Sequence, residues 1–370
     1  MEALRAKYGL PAVPPPPGEL MEEEVVWRDR QEWLEGLGYR LRPRYRKDWV
    51  PSWGDNFDGG AEDSVSVMLP HLLDATVIST GREVMLKCIK KSTHPYEVGI
   101  ARFFSAEPLT SHPRNHCCPL YDVLEPPEEP DVAILVTPLL RPFYDPPMET
   151  IGEAVDFFRQ VIEGLHFMHQ CHVAHRDCMD LNIMMDAHAM FPRGFHPIVP
   201  SATKDYQGSA KFHSRTARPP KYYLIDFGLS RKYDPEDGAP SELPIFGGDK
   251  SVPEHQNVTG PLNPFQTDIY YLGNAIRTRF LMKTRGVEFM QPLVDDMVQD
   301  DPSRRPTMDE VLSGFEALQR SIPWWRLRSR LVNLDMPDEY VWGIGGWISY
   351  YLRSAMRILF HRSPIPARQC

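Results

Sequence analysis

The apolar period of this 370-residue chain changes once, and that change limits what the chain can fold into. Ahead of residue 138 the apolar residues fall in short, β-branched runs: Leu72 to Ile78, Val84 to Ile89, Pro119 to Leu124 and Val132 to Thr137. Ser79-Thr80-Gly81-Arg82 separates the first two as a turn, which predicts a hairpin. Glu125 to Pro130 separates the last two as a loop. Further on, Ile151, Ala154, Val155, Phe158, Val161, Ile162, Leu165 and Met168 recur every three to four residues. That spacing predicts an amphipathic helix of about five turns. Strands first and helices after predict an α+β chain with two lobes.

Composition narrows the function classes. A hydrophobic content of 42% supports a buried core, and a net charge of −9 argues against a general nucleic-acid binder, which carries a basic face. Cys88, Cys117, Cys118, Cys171, Cys178 and Cys370 include no CxxC and no zinc spacing, so they read as reduced thiols of a cytoplasmic protein. Residues 1–20 contain no apolar run like a signal peptide, and no run of 18 uncharged apolar residues predicts a transmembrane helix.

Residues 1–26, with Pro14 to Pro17 and Glu22 to Glu24, read as a disordered arm. Residues 27–56 form an extension dense in Trp, Tyr and Arg. Its aromatics are expected to pack on the following domain, since one short basic stretch (Leu41 to Arg46) on an acidic chain is a weak RNA signal. From Arg320 to Cys370 eight arginines face three acids, a net +5, which leaves −14 on the rest. This basic, Trp-rich tail, 321–370, suits either a helix covering the second lobe or peripheral contact with an anionic membrane or a partner.

The chemistry is concentrated after the long helix. His175-Arg176-Asp177-Cys178-Met179-Asp180-Leu181-Asn182 follows it, and later an apolar strand, Tyr222 to Ile225, runs into Asp226-Phe227-Gly228. Either tripeptide alone arises by chance; both, in this order and context, resemble the protein-kinase family. The resemblance covers about residues 70–320. Val84-Met85-Leu86-Lys87 resembles the strand that presents the nucleotide-binding lysine, and Glu97 stands where the third-helix glutamate belongs. Val252-Pro253-Glu254 resembles the end of the activation segment, Asp268 to Gly273 the helix opening after it, and Asp301 to Pro306 the late arginine motif. With its Trp27 to Trp53 block and its large insertion, the chain resembles the divergent kinase-like proteins of filamentous, mushroom-forming fungi.

The resemblance implies a bilobal fold, with a small β-rich N-lobe over 57–138 and a larger helical C-lobe over 139–320 that contains an insertion at 187–221. It implies Mg-ATP as the cofactor and a protein hydroxyl, Ser or Thr, as the acceptor. Asp177 would take or orient the acceptor's proton. Asn182 and Asp226 would offer hard oxygen ligands to Mg²⁺. Lys87, held by Glu97, would meet the α- and β-phosphates. Leu72 would cover the base, and the backbone at Pro138, Leu139 and Leu140 would meet its edge, with Thr137 behind. Arg176 would meet a negative charge on the activation segment, such as a phosphate on Ser230, Ser241 or Ser251. Asp268 is expected to brace the catalytic loop, Glu254 and Arg305 to form a structural ion pair, and His175 to be a core residue.

The pattern fails in two places. No GxGxxG precedes Lys87, and Val67 to Leu72 stands where the glycine loop should fall. Without glycine the backbone cannot approach phosphates as closely. Met179 and Leu181 occupy the positions where kinases place a cation that steadies the transferring phosphate. Losing such a contact costs roughly a hundredfold or more in rate. Lys204, Lys211, Lys221 and Lys232 are the candidate replacements. These failures keep open a pseudokinase, a nucleotide-binding scaffold of the same fold, and a kinase acting on a small molecule.

Overall fold

The structure is a computed structural model that describes residues 18–54, 60–245, 247–256, 260–335, 351–352, 355 and 363–366. These residues gather into two compact units. The first comprises the described residues up to Thr93 together with 119–140 and 191–212. It opens with helices α1 (Glu22–Asp29) and α2 (Gln31–Gly36). Five strands follow: β1 (Tyr39–Leu41), β2 (Leu72–Val77), β3 (Glu83–Lys90), β4 (Asp122–Leu124) and β5 (Val132–Pro138). They form an antiparallel sheet in the order β1-β2-β3-β5-β4.

Alternation along β3 sends Val84 and Leu86 into the core, where they join Leu73, Ile134 and Val136. Trp27, Leu34, Tyr39, Leu41 and Tyr45 lie in that same core. The Trp27 indole donates to the Pro70 carbonyl at 2.8 Å. The buried basic residues of this stretch are paired inside the unit. Arg42 reaches Asp74 at 3.0 Å and Glu62 at 3.3 Å. Arg44 grips both oxygens of Glu24, at 2.9 and 2.8 Å, and Glu24 also accepts from Tyr45. Buried charges persist only when paired in this way. The expected arm therefore gives way to helix at Glu22, because Glu24 is one end of this network and also accepts the Met21 amide.

Tyr39 pairs with Val77 and Leu41 with Ala75, so the link between the first two strands is the whole of residues 42–71. Part of the insertion also belongs to this unit. His196 contacts Glu62 at 3.3 Å and Lys204 pairs with Glu83 at 2.8 Å.

The second unit begins with α3 (Glu97–Ser105) and continues through β6 (Arg141–Pro142), α4 (Ile151–Gln170), β7 (Val173–Ala174), β8 (Ile183–Asp186), β9 (Lys221–Leu224) and β10 (Arg231–Lys232). Then come α5 (Pro253–Gln256), α6 (Pro264–Ile276), β11 (Thr284–Arg285), α7 (Gln291–Met297), α8 (Met308–Ser321), α9 (Trp324–Leu327) and β12 (Val332–Asn333). The long helix appears where its spacing predicts it. Thr150 caps α4 by accepting the Glu153 amide at 3.1 Å, and its apolar residues are buried. Strands β6, β8 and β9 form a small antiparallel sheet, and β7 pairs with β10.

The start of the basic tail docks on this unit. β12 pairs with β11, the Ile151 amide donates to Ser329 and the Leu331 amide donates to Glu149. Trp324 and Trp325 stay largely exposed. Residues 336–350, where the membrane expectation centres, lie outside the described residues. Among the described residues no helix is long and apolar enough to cross a membrane. The whole is an α+β chain of antiparallel sheets and helices.

Candidate active site

The His175–Asn182 loop leaves β7 and is braced from below. Asp268, on α6, accepts the backbone amides of His175 at 2.7 Å and Arg176 at 2.6 Å, and contacts the His169 ring at 3.0 Å. His175 is fully buried, with its Nε2 3.1 Å from the Ile225 carbonyl. Both residues thus act on the loop's shape. Arg176 holds a left-handed backbone, φ 68°, which a non-glycine residue adopts only when its surroundings impose it.

That brace presents Asp177. Asn182 Nδ2 donates to both the Asp177 carbonyl and its Oδ2, each at 2.8 Å. The backbone amide of Gly248 donates to the other oxygen, Oδ1, at 2.7 Å. Burial raises the Asp177 carboxyl above the usual aspartate range and the nearby charge of Asp226 adds to this, against the Gly248 amide, His175 and Asn182. A carboxyl so placed is half-buried, oriented and close to a second acid. It can receive or orient a proton.

Asp226 follows β9 and also has a left-handed backbone, φ 64°. The Gly228 amide donates to its Oδ1 at 3.3 Å. Phe227 between them is buried against Phe104 of α3 and the His175 ring. A Cβ on Gly228 would lie 2.9 Å from His94 Nδ1, 3.1 Å from Asp226 Oδ1 and 3.2 Å from Glu97 Oε2. A side chain there would press on these three groups, and Glu97, the buried first residue of α3, sits beside this turn. Asn182 and Asp226 offer an amide and a carboxylate oxygen. Mg²⁺ keeps several waters and takes one or two protein oxygens plus phosphate, so this donor set fits it. Among the described residues no group of three His, Cys, Asp or Glu forms a denser metal site.

The remaining nucleotide candidates lie in the first unit. Leu72 pairs with Lys87, and Met85 with Thr137, across β2-β3-β5. Directly paired residues share a face, so Leu72, Lys87, Met85 and Thr137 all project from the side of the sheet opposite Val84 and Leu86. Leu139 follows the end of β5.

Of the expected replacement cations, Lys204 pairs with Glu83, Lys232 lies 3.9 Å over the Phe103 ring and Lys221 stands 5.1 Å over Tyr223. The sequence reading missed Gly247, Gly248 and Lys250. The Lys250 ammonium donates to the Gly247 carbonyl at 2.7 Å, beside the amide that holds Asp177. The signal was the paired glycine ahead of Val252-Pro253-Glu254, since adjacent glycines mark a close backbone approach. Glu254 is gripped by both Arg305 nitrogens at 2.7 Å, as its pairing predicted.

No protein-family model matches the chain. It is similar to the serine/threonine-protein kinase CAK1 of Saccharomyces cerevisiae, 27% identical over 112 residues. That match covers 30% of this chain and 22% of the yeast protein, and it supports a relationship to protein kinases.

Proposed function

We propose that this chain is a bilobal, kinase-like phosphotransferase that moves the γ-phosphate of Mg-ATP to a protein hydroxyl, Ser or Thr. The observation that carries the reading is the oriented carboxylate of Asp177, held through one oxygen by Asn182 and through the other by the Gly248 amide. Bound Mg-ATP would supply the phosphoryl group and its charge neutralisation. Asp177 would accept or orient the acceptor's hydroxyl proton, Asn182 and Asp226 would hold the metal, and Lys87 would meet the α- and β-phosphates. Leu72, Thr137 and Leu139 would bound the base, and Glu97 would keep Lys87 in place. The partial similarity to a serine/threonine kinase favours a hydroxyl acceptor.

A second reading, a nucleotide-binding scaffold, has its own support. Both oxygens of Asp177 are already engaged, and Met179 stands where a cation would steady the phosphate. Phosphate transfer from labelled Mg-ATP, to itself and to a mixed peptide library, separates the two when the chain is assayed beside its Asp177→Asn form. Transfer by the chain that vanishes in the variant is expected. No transfer by either form, with nucleotide binding demonstrated, makes the scaffold the better account.

A further inference from the structure

Arg176 was expected to meet a negative charge on the activation segment, such as a phosphate; the charge it meets is a carboxylate. Arg176 is buried, and a buried guanidinium needs a counter-charge. Its Nη2 lies 3.0 Å from Oε2 of Glu242, in the segment between β10 and α5. The other oxygen, Oε1, takes the Arg231 guanidinium, and the Tyr233 hydroxyl donates to Oε2 at 3.0 Å. Burial pushes the Tyr233 phenol up, so it stays protonated and remains a donor.

Two guanidinium groups and one hydroxyl converging on a single point make a site suited to a phosphate dianion. Here a glutamate of the chain fills it. The backbone is fixed at the same residue. Glu242 and Leu262 exchange both backbone hydrogen bonds, at 2.9 and 2.7 Å. One residue is therefore tied through its main chain to Leu262, beyond α5, and through its side chain to the loop that carries Asp177.

Two of the serines considered for phosphorylation are engaged elsewhere. Ser230 is buried and its hydroxyl donates to the His175 carbonyl at 2.9 Å. Modification there would require it to leave the core. The Ser251 hydroxyl meets Asn274 at 3.0 Å. Ser241 is exposed, but a phosphate on it would stand next to the Glu242 carboxylate and compete for arginines already matched.

We infer that Glu242 is a built-in counter-charge that fixes the activation segment against Arg176 and Arg231, so that the site beside Asp177 is assembled without phosphorylation of that segment. The consequence for activity rests on the phosphotransferase reading; the anchoring does not.

The test uses the full chain, treated with a phosphatase and shown by mass spectrometry to be free of phosphate, beside Glu242→Gln, Arg231→Gln and Ser241→Ala. Hydrogen exchange across residues 231–256 and transfer from labelled Mg-ATP are both read. Gln keeps the shape and removes the charge, so exchange near residue 242 should quicken by about tenfold or more in Glu242→Gln, while Ser241→Ala matches the parent. Transfer should persist in the phosphate-free parent and fall by about tenfold or more in Glu242→Gln. Should Glu242→Gln not fold, Arg231→Gln gives the same exchange reading from a more exposed position. A phosphate-free parent that exchanges as fast as Glu242→Gln, or that gains protection or transfer only after phosphorylation, overturns the inference. Protection by Glu242 with no transfer from any form upholds the anchor and removes the phosphotransferase reading.

Discussion

A Cβ on Gly247 would lie 2.5 Å from Oδ1 of Asp177 and 2.5 Å from the Tyr271 hydroxyl. Neither neighbour is a loose side-chain end: Oδ1 is held by the Gly248 amide and Tyr271 is buried on α6. Gly247→Ala should therefore lift the segment off the carboxylate. Misplacement by about an ångström costs roughly a hundredfold in rate, and overpacking of this kind costs about 1–3 kcal/mol in stability. Transfer assays and urea unfolding of the variant read the two effects separately, and an unchanged rate would remove the segment from the site. Met179 tests the missing charge from the other side. A Cβ on Gly248 would run into its sulfur, so a cation at 179 would reach the same surroundings. Met179→Lys should raise transfer by roughly ten- to a hundredfold; an unchanged rate would show that the absent cation is not what limits this chain.

At the scale of elements, the pair that joins α5 to the chain after α7 is the firmest prediction. Arg305 holds Glu254 with both nitrogens at 2.7 Å, deep in the second unit. Burial pushes the Glu254 carboxyl up, yet Arg305 and the Thr267 hydroxyl outweigh it, and the net shift is below the usual 4.5. The folded state thus prefers the ionised form. The resulting stability is present above 4.5 and is lost as pH falls through the lowered folded value. Arg305→Ala should cost about 3–5 kcal/mol near neutral pH, because it strands a buried carboxylate. The gap in unfolding free energy between the parent and Glu254→Gln should shrink as the pH is taken below 4.5. A gap that stays constant there would assign the pair no ionic role. Helix α4 was legible in the sequence from its spacing, and this pair and the Asp268 brace were expected from the resemblance to protein kinases. Strand β1 was not. Three residues, Tyr39 to Leu41, carry too little alternation to announce a strand, and their partner lies more than thirty positions on. Glu242 escaped for a related reason. Arg176 implied a counter-charge, but nothing in the segment's spacing separates that glutamate from Asp234, Glu236 or Asp237.

For the whole molecule, the stretch before residue 57 was legible in kind but not in its partners. Its aromatics were expected to pack on the following domain, and they do, but composition does not say which groups pair with its arginines. The partners lie at Glu24, Glu62, Asp74 and in the sheet. The structure places Trp27, Leu34, Tyr39, Leu41 and Tyr45 in one core with β2, β3 and β5. At about 1.5–3 kcal/mol for each fully buried apolar side chain, those five contribute an amount comparable with the about 5–15 kcal/mol that separates a whole domain from its unfolded state. Deleting residues 1–56 also leaves Asp74 without its arginine and uncovers one edge of the sheet at β2. The shortened chain should therefore fail to give a soluble product, or should lose the cooperative unfolding of its first unit, although Lys87, Asp177, Asn182 and Asp226 are all retained. Calorimetry and nucleotide binding on the deletion decide it. Cooperative unfolding with an unshifted midpoint would show that β2 to β5 form a sufficient core and that the aromatic stretch serves something other than stability.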